Sequence, residues 1–246
     1  MKKKERALRQ AIIEQCRWMN RSGLNQGTSG NISVRLGERL LITPSAIAYD
    51  ALEPEMICSM PLAGDGQWDG PFKPSTEWRF HLDIMNARPE AGAVVHTHSI
   101  HATTLAILRK SIPACHYMIA AFGGNDVRCS AYARYGTAEL SRHALAALKD
   151  RQGCLLANHG LITIGENLDK AMWLAVELET IARQYCLALQ IGKPVILSDE
   201  QIAETARSFA SYGLQDTDQA AVRSRPLAGP GIQPPAKAKV SRRVRR

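Results

Sequence analysis

The strongest local signal in this 246-residue chain is Val94-Val95-His96-Thr97-His98. Side chains two apart on a strand point to the same side, so two imidazoles spaced this way can share one metal ion. A histidine pair near a strand end can equally be held by ordinary hydrogen bonds, and further ligands decide between the two. His159 is one candidate, in the apolar stretch Leu155-Leu-Ala-Asn-His-Gly160, where a third imidazole would complete a catalytic site with an open position. Taken alone, it is also a satisfied core histidine. Glu77 is another candidate, although a carboxylate in the first turn of a helix also complements the helix dipole without any catalytic role.

Two familiar metal patterns fail on spacing. H-x-H-x-D-H needs a carboxylate where Ile100 stands in His96-Thr-His98-Ser-Ile-His101. A cupin needs a glutamate three or four residues after the second histidine in an all-β chain, whereas positions 101 and 102 are His and Ala and no carboxylate occurs before Asp126. His101 is therefore expected on the polar face of the following helix, and His81, His116 and His143 show no ligand spacing and read as core or surface residues. An anion site is the other plausible element. Ser75 and Thr76 at a helix start, and the turn Gly27-Thr-Ser-Gly-Asn31, offer hydroxyls and backbone amides, though each also serves as a cap or a turn. No G-x-x-x-x-G-K-[ST] or G-x-G-x-x-G pattern supports nucleoside phosphates or dinucleotides.

The elements that must carry these residues follow from periodicity and punctuation. Leu8, Ile12, Ile13, Cys16 and Met19 predict a helix over 4–21, stopped at Gly23. Strands are expected over 32–36, 40–43 and 57–60, then a helix from Pro74-Ser-Thr-Glu77 to Arg88-Pro89. A buried strand is expected over 91–95, a helix over 99–108, an apolar strand region over 112–121 and a helix over 137–148. Strands at 154–157 and 161–164 flank Asn158-His159-Gly160, a long helix covers 168–190, and the capping box Ser198-Asp-Glu-Gln201 opens a last helix to about 210. Alternating strands and helices give an α/β class.

Composition bounds the reading. The formal charge of +8 suggests a phosphate-bearing partner such as nucleic acid, but eight of the 31 basic residues lie between Arg223 and Arg246 with no acidic one among them. Residues 1–222 are balanced at 23 of each sign. The Pro-rich basic tail is expected to be disordered, and nucleic-acid binding is not expected. No run of 18 apolar residues occurs, so no membrane partner is expected and the chain reads as cytoplasmic. The six scattered cysteines form no C-x-x-C pair and read as reduced, mostly buried thiols.

Together these motifs resemble the class II aldolase and adducin head family. The matching segments are Gly23-Leu-Asn-Gln-Gly-Thr-Ser-Gly-Asn-Ile-Ser-Val-Arg35, Leu41-Ile-Thr-Pro44, Pro74-Ser-Thr-Glu-Trp-Arg-Phe-His81, Arg88 through His98, Ile112 through Ile119, Tyr135-Gly-Thr137, Asn158-His-Gly160 and Leu197-Ser-Asp-Glu200. The resemblance implies a single α/β/α domain over 1–215 with a mostly antiparallel central sheet, followed by a tail over 216–246. It implies one zinc ion per subunit held by His96, His98, His159 and Glu77, with Glu77 also the acid/base. It further implies phosphate contacts at Gly30, Asn31, Ser45, Ala46, Ser75 and Thr76, and a homotetramer in which Tyr117 and Tyr212 of a neighbouring subunit approach the site, Tyr117 as a second catalytic group. The reaction implied is reversible cleavage of a ketose 1-phosphate, with L-fuculose 1-phosphate as the first candidate, to dihydroxyacetone phosphate and an aldehyde. Aldolases of methylthioribulose or 5-deoxypentulose phosphates in salvage, and the family's decarboxylases, are the other enzymes implied. An epimerase typically has aspartate where Glu77 stands, and an adducin-like scaffold lacks the histidines. Ser45-Ala46 departs from the family's usual Thr-Gly, and Ser75-Thr76 from its Ser-Ser. Both departures keep a hydroxyl, while Ala46 restricts the backbone and adds volume beside the implied phosphate contacts.

Overall fold

A computed structural model describes residues 1–209. The tail expected to be disordered, the 215/216 boundary and Tyr212 lie outside the described residues. One eight-stranded sheet runs β3-β2-β1-β4-β8-β7-β6-β5. Its strands are β1 (Asn31–Leu36), β2 (Arg39–Ile42), β3 (Cys58–Pro61), β4 (Ala93–Thr97), β5 (Ile112–Pro113), β6 (Asp126–Cys129), β7 (Gly153–Leu156) and β8 (Gly160–Gly165). Only β6 and β7 pair in parallel. The expected α/β fold with a mostly antiparallel central sheet is what forms.

The alternation of side chains along each strand sorts the core into two layers. Val95, Leu41, Leu155 and Leu161 face one layer, where they meet α1 (Lys3–Ser22), α3 (Ile100–Ile107) and α5 (Leu168–Ile191). Val94, Leu40, Ile42, Leu156 and Ile162 face the other, packed by α2 (Trp78–Ala87) and α4 (Ala138–Ala147). Fully buried residues such as Ile12 and Phe80 contribute about 1.5–3 kcal/mol each from the water they shed.

Several helix ends follow their sequence signals. Gly23 takes the left-handed conformation (φ 77°) that stops α1. Ser198 and Gln201 form the reciprocal capping box that opens α6 (Asp199–Phe209), at 2.8 and 3.3 Å. The strand expected over 112–121 does not form. Only Ile112–Pro113 pairs, because proline has no N–H to continue a ladder. Residues Tyr117–Phe122 wind instead into a 3-10 helix, started by the His116 side chain accepting from Met118 N–H and ended by Gly123 at φ 85°. All six cysteines are free, with Cys16, Cys58 and Cys154 buried. Among the described residues no helix is long and apolar enough to cross a membrane.

Candidate metal centre

Strand parity and register build the site. On β4, Val94 and His96 point toward α2, and β4 runs to Thr97, so His98 lies just past the strand end rather than on it. Asn31 of β1 sits directly opposite His96, and Ser33 opposite Val94, so all four share the α2 face. His159 comes from the three-residue turn between β7 and β8, in which Asn158 adopts φ 55°. That left-handed residue is latched to the end of α3: its N–H donates to the Ala106 carbonyl at 2.9 Å, and its side-chain oxygen accepts from Arg109 Nε at 3.1 Å. Glu77 occupies the residue before α2, but its carboxylate makes no capping bond to that helix. It turns instead to the histidines, which removes the dipole-only reading of this residue.

The donor atoms of Glu77, His96, His98 and His159 all lie within 4.8 Å of one another. His96 Nε2 is 3.0 Å from His98 Nε2 and 3.2 Å from Glu77 Oε2, and His159 Nε2 is 3.1 Å from Glu77 Oε1. The three rings stand 4.8 to 4.9 Å apart, each nearly perpendicular to the next at 73 to 78°. His96 is fully buried and its Nδ1 lies 2.8 Å from the Leu161 carbonyl, which can only accept. Nδ1 therefore carries a proton, and Nε2 is the ring atom that faces the carboxylate oxygen. Two lone-pair atoms at 3.2 Å repel unless positive charge lies between them. Glu77 Oε1 is buried with no properly directed hydrogen bond despite its short contact to His159. The donors thus converge on a point that calls for a cation, and three imidazoles with one carboxylate suit a divalent metal. Burial, reinforced by the neighbouring His96 and His159, lowers the pKa of His98 to about 3, which keeps its ring free to ligate. Burial also opposes ionisation of Glu77, but the adjacent imidazoles of His96 and His159 outweigh it and hold the carboxyl well below its ordinary range.

A cavity of about 300 Å³ opens beside the cluster, lined by Glu77, His98, His159, Ser29, Thr76, Tyr132, Tyr135, Ala133 and Asn158. Of the residues implied as phosphate contacts, Thr76 is exposed on its wall. The others do not line it, but backbone pairing joins their segments: Ser75 N–H donates to the Thr43 carbonyl, Ser45 N–H to Lys73, and Thr43 N–H to Ile32. The segments containing Gly30-Asn31, Ser45-Ala46 and Ser75-Thr76 are therefore neighbours. Ala46 holds φ 57°, a conformation glycine adopts without strain. Gly30 has no room for a side chain, since a Cβ there would lie 2.6 Å from the His96 carbonyl oxygen. Asn31 is buried, and its amide donates to Glu77 Oε2 at 3.0 Å. Tyr117 lies on the 3-10 helix, half exposed, and is not among the residues lining the cavity of its own chain.

Sequence reasoning gave no role to Tyr132 and Tyr135, exposed aromatics on the cavity wall, although Tyr135-Gly-Thr137 was among the matching segments. His81 is a core residue, as its lack of ligand spacing suggests, but it is bonded to Asn31 and so to the site.

The α/β/α fold brings three histidines from the ends of its central strands together with a glutamate at the start of α2, a set that could hold a metal ion. The chain belongs to the family described as Class II Aldolase and Adducin N-terminal domain, which matches residues 10–186. It is 52% identical over 207 residues, 84% of this chain and 93% of the relative, to a 5-methylthioribulose-1-phosphate/5-deoxyribulose-1-phosphate aldolase of Rhodospirillum rubrum. It is 49% identical over 209 residues, 85% of this chain and 96% of the relative, to an L-fuculose phosphate aldolase of Escherichia coli K12. A solved L-fuculose 1-phosphate aldolase superposes with a TM-score of 0.80 at 38% identity, covering 83% of this chain and 96% of that one. Class II aldolases are metal-dependent, and lyase activity is supported for this chain by the family and these relatives.

Proposed function

We propose that this protein is a zinc-dependent aldolase that reversibly cleaves a ketose 1-phosphate to dihydroxyacetone phosphate and an aldehyde; for L-fuculose 1-phosphate, the aldehyde is L-lactaldehyde. The observation that carries the reading is the convergence of Glu77, His96, His98 and His159 on one point beside an open cavity. These four residues would hold the ion, three nitrogens and one carboxylate suit zinc, and substrate would take the place of Glu77, freeing the carboxylate to act as acid/base. Once bound, the ion supplies Lewis acidity to the carbonyl and hydroxyl oxygens of the ketose and offsets the negative charge that develops as the C–C bond opens.

The chain's own residues do the rest. Glu77, ionised and buried, is the acid/base: it takes the carbon-bound proton of dihydroxyacetone phosphate in condensation and returns it to that carbon in cleavage. Amides and hydroxyls of Gly30-Asn31, Ser45-Ala46 and Ser75-Thr76 hold the phosphate, a reading supported by the adjacency of those segments. Tyr117 of a neighbouring subunit in a homotetramer donates a proton to the aldehyde oxygen in condensation and, as the phenolate so formed, takes the hydroxyl proton back in cleavage; Tyr212 is assigned to the same neighbouring subunit. The exposure of Tyr117 and its absence from the lining of its own cavity support service to a neighbour. The reaction is assigned to residues 1–215 and none of it to the basic tail.

A second reading, with 5-methylthioribulose or 5-deoxyribulose 1-phosphate as substrate, is favoured by the 52% identity to an aldolase named for both. Incubating the zinc-loaded protein with each ketose phosphate and measuring dihydroxyacetone phosphate release decides between them by kcat/KM; no release from any would overturn the proposal. Glu77→Gln is expected to keep most of the metal and lower kcat by about 10² or more. A near-normal kcat would remove Glu77 from the base role.

A further inference from the structure

Four buried side chains behind the metal centre form one continuous line. Ser33 Oγ is 2.7 Å from His81 Nδ1, His81 Nε2 is 2.6 Å from Asn31 Oδ1, and Asn31 Nδ2 is 3.0 Å from Glu77 Oε2. Two elements make the line. Asn31 and Ser33 are two apart on β1, and Glu77 and His81 are four apart at the start of α2, so each pair shares a face and the faces meet.

We infer that His81 is a positioning residue for Glu77, acting through Asn31 in a one-directional relay from Ser33 that fixes the carboxylate at Oε2. The direction follows from the far end. A carboxylate oxygen can only accept, so Asn31 must present its NH2 group to Glu77 and its carbonyl to His81. His81 then carries its proton on Nε2, leaving Nδ1 to accept from the Ser33 hydroxyl. Each donor has one acceptor, and every member is at most 5% exposed. The hold on Oε2 matters because Oε1 has no hydrogen bond of its own, so among the described residues Asn31 is the one side chain outside the histidine cluster seen to orient the carboxylate.

This inference rests on Glu77 being the base, and the experiment separates the two. His81→Phe keeps the ring volume beside Phe80 but removes the donor, whereas His81→Gln places an amide N–H near the Nε2 position. In the cobalt-substituted protein, His81→Phe is expected to change the visible absorption bands that report the ligand field, and to speed metal loss to a chelator. In the zinc protein it should lower kcat by about 10- to 100-fold, the usual cost of losing a partner behind a metal ligand, with KM within about threefold. His81→Gln should restore kcat to within about threefold of wild type and restore the cobalt spectrum. If His81→Phe does not fold, Ser33→Ala decides, with an expected kcat loss of about 3- to 10-fold and a shifted spectrum. A folded His81→Phe, or failing that Ser33→Ala, with wild-type kcat and cobalt spectrum overturns the relay, as does a loss confined to KM or a glutamine variant as slow as the phenylalanine one. A fast Glu77→Gln enzyme instead sinks the base assignment and the relay with it.

Discussion

Replacing Gly160 with alanine tests how the histidines are packed without touching a ligand. Gly160 opens β8, and its φ is outside the left-handed region, so the backbone accepts alanine. The space does not. An added Cβ would lie 2.5 Å from the Thr97 carbonyl oxygen, 2.9 Å from His98 Cδ2 and 3.3 Å from His96 Cε1. Reaching ordinary contact near 3.4 Å requires about 0.9 Å of movement at Thr97 and about 0.5 Å at the His98 ring, whose Cδ2 is bonded to the Nε2 in the cluster. Metal–ligand distances tolerate only about 0.2 Å, so the ring cannot both yield and keep its bond length. Overpacking costs about 1–3 kcal/mol, and if half of that falls on the metal-bound state the affinity drops by about two- to twelvefold. The assay is metal content after dialysis against buffered zinc, with melting in the presence and absence of metal. Gly160→Ala should show a smaller metal-induced rise in Tm, while Gly192→Ala, where a Cβ meets nothing within 4 Å, should match wild type. Wild-type zinc affinity in Gly160→Ala would refute the claim that this glycine makes room for the two imidazoles.

Ala46 holds φ 57°, which costs an alanine about 1–2 kcal/mol, against about 0.5–1 kcal/mol of extra unfolded-state entropy for glycine. Ala46→Gly should therefore raise stability by about 0.5–1 kcal/mol in denaturant melts, and a destabilised variant would contradict this. Acid should weaken the metal-free protein: burial, with the neighbouring His96, lowers the pKa of His81 to about 3 from 6.5. Between those values the unfolded chain binds a proton that the native state refuses, so the stabilisation is complete above pH 6.5 and is lost as pH falls, by about 1.4 kcal/mol per unit. His98 adds to the same slope, and equal stability at pH 7 and pH 5 would rule the mechanism out.

The parts of the fold legible from sequence are those in which local pattern and tertiary environment agree. The long helix α5 carries its apolar residues at helical spacing from Leu168 to Tyr185, and the Ser198–Gln201 capping box is local chemistry. The pair His96-Thr-His98 is legible as a spacing, but strand parity places only His96, because β4 ends at Thr97 and His98 is brought in from just beyond it. By contrast, 112–121 is apolar without a period, so its 3-10 turn depends on the His116 cap, which an apolar count does not see. Strand β6 was missed because Asp126–Cys129 meets β7 at only two register positions and is largely half-buried. His81 was set aside for want of ligand spacing. Its four-residue separation from Glu77 gains meaning only once α2 lies across β1, which is a tertiary fact.

The same tertiary facts reinterpret the charge. The positive excess belongs to residues beyond 222, and among the described residues no lysine or arginine lines the cavity beside the cluster. From the described wall an anionic substrate would meet hydroxyls, amides and imidazoles, together with the carboxylate of Glu77. A bound cation would then be the main positive charge available, cancelling Glu77 and attracting the ketose phosphate with the same ion that activates it. A lysine on the wall could bind phosphate without the metal; a wall without one would couple substrate affinity to metal occupancy, so that productive binding would be reserved for the loaded site.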